Sequence, residues 1–161
     1  MLFRSELLPS SSPFEFRFTP TCDYLNWRFN TELNFVRYRI WRIVRGHHTA
    51  GYVVLNEQRH RVIVAQADAD DELTLARGVV AAISASSTGR RRKQGVVLTA
   101  ADETLKSIYR SLGFKVRIGA RPFVIGSLLR KPNWPEDTSR WNVNFDWCDN
   151  GLRPPFWCGD S

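Results

Sequence analysis

The residue pattern predicts an α/β domain built on a mixed, mostly antiparallel central sheet flanked by helices. Three observations carry this expectation. Residues 35–67 hold three β-rich runs separated only by short polar connections, the spacing of antiparallel neighbours. A long helical pattern over 70–87 then leads to Val96-Val97-Leu98, a continuous apolar run of the kind seen in strands buried on both faces. A second helical pattern, with Leu105, Ile108, Tyr109 and Leu112 at i, i+3, i+4 and i+7, closes on Gly113-Phe114 and feeds a further strand. Strands that alternate with helices after a meander give a mixed sheet with helices on its faces.

In chain order, residues 1–13 read as an irregular arm whose end, Pro9-Ser-Ser-Ser-Pro13, has linker composition. Phe14, Phe16 and Phe18 alternate with Glu15 and Arg17, the period of a half-buried strand. Thr19 to Asp23 is a turn, and Tyr24 to Asn30 a short helix whose Leu25, Trp27 and Phe29 are too closely spaced for a clean apolar stripe. The meander strands fall at 35–44, 50–55 and 61–66, joined by Gly46-His47-His48-Thr49 and by the polar turn from Asn56 to His60. The 70–87 helix places Leu73, Ala76, Val79, Val80 and Ile83 on one face and crowds acidic residues into its first turn, where the helix dipole favours them.

The Gly89-Arg90-Arg91-Arg92-Lys93 loop ends that helix, and Val96–Thr99 is expected at the sheet centre, packed against both long helices. Thr99 and Asp102 have capping-box spacing for the next helix, and Gly113 fits its left-handed closing residue. Strands at about 114–118 and 122–130 complete a domain spanning 14–130. Residues 131–161 form a Trp- and Pro-rich extension packed on it.

A chain of 161 residues suits one compact domain, and 43% hydrophobic with 24% charged residues argues against global disorder. No apolar run approaches the ~20 residues of a membrane span, and the first residues lack a signal-peptide core, so a soluble, cytoplasmic protein without membrane contact is expected. Cys22, Cys148 and Cys158 are odd in number and lack Cys-x-x-Cys spacing, which argues against a disulfide scaffold or zinc site. Cys148 and Cys158 can pair under oxidation; a buried free thiol is the commoner outcome. The net charge of +7 favours acidic partners, nucleotides and phosphorylated cofactors.

Residues 102–114 resemble the helix that the GNAT family of N-acetyltransferases places before its penultimate strands, with the pattern Asn-x-x-Ala-x-x-x-Tyr-x-x-x-Gly-Phe. Asp102, Leu105, Tyr109, Gly113 and Phe114 stand at its defined positions. The predicted element order over 14–130 is also similar to that fold, including a Phe-rich first strand with a turn ending in Asp23. Tyr24-Leu-Asn-Trp-Arg-Phe29 looks like a Leu-x-Trp-Arg-Tyr stretch in the C-terminal halves of longer GNAT-like proteins, so the chain reads either as such a half or as a shortened stand-alone version.

The resemblance implies acyl transfer from acetyl-CoA or another acyl-CoA to a small-molecule amine. Tyr109 matches the residue that protonates the departing thiolate, a task for which a phenol of pKa about 10 needs positioning help. Backbone N–H groups of Val64, Ala65, Gln66 and Ala67 match the strand end that holds the oxyanion. Asp68 is the candidate base. The family's pyrophosphate loop is Gln/Arg-x-x-Gly-x-Gly/Ala. Here Gln66 matches its first position, but Ala67 to Glu72 contains no glycine and carries four carboxylates.

Side chains without glycine keep backbone N–H groups away from a bulky anion, and the carboxylates repel it. Asp71 and Glu72 serve equally as helix caps, and the acidic spacing lacks the Gly and distal Glu of a Ca²⁺ loop, so no metal site is expected. Arg90 and Arg91 are the best anion-binding candidates, for a coenzyme A phosphate or otherwise a solvated loop. His47, His48 and His60 are turn residues that need a neighbour brought by the fold to act.

Trp134, Trp141, Trp147 and Trp157 are packing residues, an aromatic wall or a homodimer surface. Three functions stay open: an acyl-CoA-dependent N-acyltransferase, a catalytically silent GNAT-fold module that binds a ligand or protein, and a basic nucleic-acid-binding domain. The last is disfavoured because aromatics are not interleaved with the Arg run.

Overall fold

The computed structural model describes residues 8–32, 37–58, 60–87, 95–115 and 140–144. Within them lie strands β1 (Phe16–Arg17), β2 (Tyr38–Arg45), β3 (His48–Glu57), β4 (Arg61–Ala69), β5 (Gly95–Val97) and β6 (Trp141–Asn142), and helices α1 (Cys22–Arg28), α2 (Glu72–Ser87) and α3 (Glu103–Ser111). Phe114 and Lys115 are described and are not in a strand; the rest of the expected strand at 114–118, the one at 122–130, and Arg90, Arg91, Trp134, Trp147, Trp157, Cys148 and Cys158 lie outside the described residues. Among the described residues no helix is long and apolar enough to cross a membrane.

The meander is present as expected: β2, β3 and β4 pair antiparallel in order, and β5 joins β4 in parallel after the α2 crossover. Alternating side chains give the sheet two apolar faces. One, carrying Val53, Leu55, Val62, Val64, Ala67 and Ala69, packs with Leu75, Ala76 and Val79 of α2 and Leu105 and Tyr109 of α3. The other, with Tyr38, Tyr52, Val54 and Ala65, packs with Leu25 and Phe29 of the α1 region. Burying apolar area on both faces is the main term favouring this arrangement, at about 25 cal/mol per Å².

Several expectations are corrected. The first strand is only Phe16–Arg17, and it pairs parallel with Trp141–Asn142 in a separate two-stranded sheet. The short helix starts two residues earlier than predicted, because the Thr21 hydroxyl accepts from the Tyr24 N–H and caps it. The buried stripe of α2 is Leu75, Ala76, Val79 and Ala82, while Leu73 is exposed.

Asp102 itself, not Thr99, is the N-cap of α3: its carboxylate accepts from the Leu105 N–H at 2.6 Å. Gly113 does close α3 in the left-handed region, at φ 92°. The apolar run after α2 is not a doubly buried central strand. Among the described residues β5 is the end strand, Gly95 is exposed, and Val96 and Val97 are only half-buried. It meets β4 through three residue pairs, and only Leu98 and Ala100 beyond it pack on the α2–α3 core.

Candidate functional site

β4 is nine residues long but pairs with β5 only from Arg61 to Ile63. Just beyond, a β-bulge interrupts its pairing with β3: Leu55 faces Val64 and Val54 faces Gln66, which leaves Ala65 as the extra residue. Downstream of the bulge, the strand end turns the peptide groups of Ala67 toward the side on which β5 has diverged. Those groups are occupied by the chain itself. The Ala67 N–H donates to Asn144 Oδ1 at 2.9 Å, and the Ala67 carbonyl accepts from Asn142 Nδ2 at 3.1 Å. Across the same space the Thr99 hydroxyl, two residues past β5, donates to the Val143 carbonyl at 2.6 Å. Residues 142–144 thus lie between the diverging ends of β4 and β5, with Asn142 and Asn144 buried.

β1 and β6 anchor this insertion. Arg17 and Asn142 are register partners, and both reach Asp68: Arg17 Nη1 at 2.6 Å to Oδ2, and Asn142 Nδ2 at 3.3 Å to Oδ1. Phe16 stacks on Trp141 at 5.1 Å. Of the three readings open for Trp141, packing, aromatic wall or homodimer surface, its burial and this stack fit packing.

Asp68 is brought to the gap but is not a free base. It is buried, ion-paired to Arg17, and accepts further bonds from the Ala69 N–H and, at 3.5 Å, the Ser12 hydroxyl. Burial raises its pKa above the ordinary aspartate value, against the lowering by the Arg17 charge and by these hydrogen bonds. Gln66 is also buried; its Nε2 donates to the Tyr52 hydroxyl at 3.2 Å, and its Oε1 has no partner among the described residues. Val64, Ala65 and Ala67 are core residues, and of the four expected oxyanion donors the Ala67 N–H is already bonded to Asn144.

Tyr109 belongs to the core beneath α3. It is buried, stands edge-on to Phe114 at 5.3 Å, and burial pushes its phenol well above the ordinary tyrosine range. A phenol shifted upward is a weaker proton donor, the wrong direction for a general acid.

The acidic stretch after β4 is satisfied locally. Asp71 caps α2: its carboxylate accepts from the Thr74 N–H and hydroxyl, both at 2.8 Å, and its carbonyl accepts from the Leu75 N–H. Burial raises the Asp71 pKa, but the Thr74 bonds and Arg45 outweigh this and leave it below the ordinary value. Asp70 meets His48 Nε2 at 2.8 Å and lies 3.9 Å from Arg45. The turn histidine has thus found a neighbour, and that neighbour is a carboxylate of this loop. At the α2 N-terminus the Asp71 carboxylate thus takes the Thr74 N–H and places a negative charge beside the helix start. Among the described residues no cluster of His, Cys, Asp and Glu could hold a metal ion.

Asn142 and Asn144 were not legible as site residues. Their only sequence signal is alternation about Val143, which sets both carboxamides on one side of an extended segment. No protein-family profile, no curated protein and no solved structure matches this chain.

Proposed function

We propose that this chain is a GNAT-like binding module without acyl-transfer activity, in which residues 142–144 occupy the space an acyl-CoA would need. The GNAT-like reading is supported by the element order and by the parallel β4–β5 pair that opens a gap at the end of the fourth strand. The observation that carries the silent reading is the double bond between the Ala67 peptide groups and the carboxamides of Asn144 and Asn142. A ligand binding there must displace two buried hydrogen bonds, each with a net worth of about 1 kcal/mol, before it gains any of its own. The Asp71 carboxylate adds to this: it takes the Thr74 N–H at the start of α2 and would meet a polyphosphate with like charge.

Calorimetric titration of the full chain with acetyl-CoA and with desulfo-CoA tests the proposal. The expected result is no micromolar binding of either. Micromolar affinity, or acetyl transfer to any amine of a test panel, would reject it in favour of the second reading. That reading is an acyl-CoA-dependent N-acyltransferase, favoured by the bulge and divergence at Ala65–Ala67, with Tyr109 as acid and a small amine as acceptor. Under it, Tyr109→Phe lowers turnover by roughly 10²–10⁴-fold.

A further inference from the structure

Trp27 is 73% exposed, the most exposed of the large hydrophobic side chains among the described residues. It belongs to a row. Tyr24, one turn earlier on α1, lies 5.9 Å away at an interplanar angle of 52°, and Phe18 stands edge-on to Tyr24 at 5.0 Å and 71° while itself 39% exposed. Core packing does not account for the row's outer end, because α1 buries Leu25 on its opposite side. The rings are inclined to one another, so they do not form the flat platform that a sugar ring stacks on.

One charge accompanies the row. Asp23 is exposed, stands in the first turn of α1 four residues before Trp27 and so shares its side of the helix, and its carboxylate makes no hydrogen bond or ion pair among the described residues. Arg28, the basic residue of the same helix, is buried and offers it no charge on the surface. On a chain of net charge +7, this is a local site where an aromatic face and a carboxylate without an ion pair among the described residues attract the same thing, a cation. An anionic membrane or nucleic acid would meet Asp23 as a repulsive neighbour.

We propose that the Phe18–Tyr24–Trp27 row with Asp23 docks an arginine-bearing segment of a partner protein, the guanidinium stacking on the Trp27 indole and pairing with Asp23. Arginine fits because its planar, weakly hydrated head stacks on aromatic faces while still donating to a carboxylate. This surface is separate from the Ala67 gap, so the inference stands or falls apart from the question of acyl transfer.

The test is a titration of the full chain, its indoles labelled with ¹⁵N, with acetyl-Gly-Arg-Gly-amide; Trp27→Phe assigns the resonance. The Trp27 signal should move and saturate in the millimolar range. The same peptide with neutral citrulline in place of arginine should bind about two- to five-fold more weakly, the reach of an exposed cation–π contact. Asp23→Asn should cost a similar factor, and Trp27→Ala should abolish binding with an unchanged far-UV spectrum, since both side chains are exposed. Equal binding of the citrulline peptide, indifference to Asp23→Asn, or a silent Trp27 resonance overturns the proposal. So does peptide-independent broadening that grows with protein concentration and disappears in Trp27→Ala, which would assign the row to a second copy of the chain.

Discussion

Asp68 holds a negative charge in a place that gives it one cation and little water. Burial dominates, so the folded chain binds the proton more tightly than the unfolded chain, where an aspartate titrates near 3.8. Between that value and the raised folded value the folded state carries more protons, and the stability contributed by Asp68 falls as pH rises through the window. Asp68→Asn should flatten this decline, measured by urea unfolding at a series of pH values upward from about 4. Arg17→Gln removes the cation and leaves a buried carboxylate, which should cost about 3 kcal/mol at neutral pH, the low end for a broken buried pair because Arg17 keeps some solvent. The cost should shrink toward pH 4 as Asp68 becomes protonated; a constant cost would mean that Arg17 acts through packing alone. Asp71 has the opposite sign: its folded pKa is depressed, so its contribution is present above the ordinary value and is lost as pH falls through the folded one. Asp71→Ala should cost about 1 kcal/mol as a lost helix cap, read by thermal or urea unfolding.

Helix α2 approaches β2 closely because Gly78 has no side chain. A Cβ there would overlap the Cδ1 and Cγ1 atoms of Ile43. Gly to Ala inside a helix normally gains up to about 1 kcal/mol, so the two effects compete. We expect the overlap to win, with Gly78→Ala destabilising by about 1–2 kcal/mol, and Ile43→Val to relieve part of that loss in a double-mutant cycle. Strict additivity of the two changes would show that α2 shifts without touching Ile43. At the other end of the α-helical layer, Gly113 needs φ 92° to let the Gly113 and Phe114 N–H groups return to the Arg110 and Tyr109 carbonyls. Gly113→Ala should therefore cost about 1 kcal/mol or more.

Residues 140–144 join parts of the chain between 44 positions away, at Thr99, and more than a hundred away, at β1, tying β1, the end of β4 and the end of β5 together. The Ala67 amide reports on this tie. In the intact chain it should exchange slowly with solvent, and Asn144→Ala should speed its exchange by about five- to tenfold, the equivalent of one hydrogen bond of about 1 kcal/mol. An Ala67 amide that exchanges as fast before the substitution as after it would show that the segment leaves the gap readily, and would weaken the silent reading with it.

What the amino-acid order determined alone is what rests on short-range physics. The meander follows from alternation and short turns, the Asp71 cap from a carboxylate three residues before an N–H, and the α3 exit from a glycine after an amphipathic stripe. Tyr109 shows the limit of such patterns: its spacing marked it correctly as facing inward on α3, but spacing does not distinguish a core phenol from a catalytic one. The occupancy of the β4–β5 gap was decided by tertiary structure. Asp68 gains Arg17 from 51 positions away, and Ala67 gains Asn144 from 77. No local pattern encodes such pairings, because they depend on how two strands diverge and on which distant segment is long and polar enough to fill the space between them.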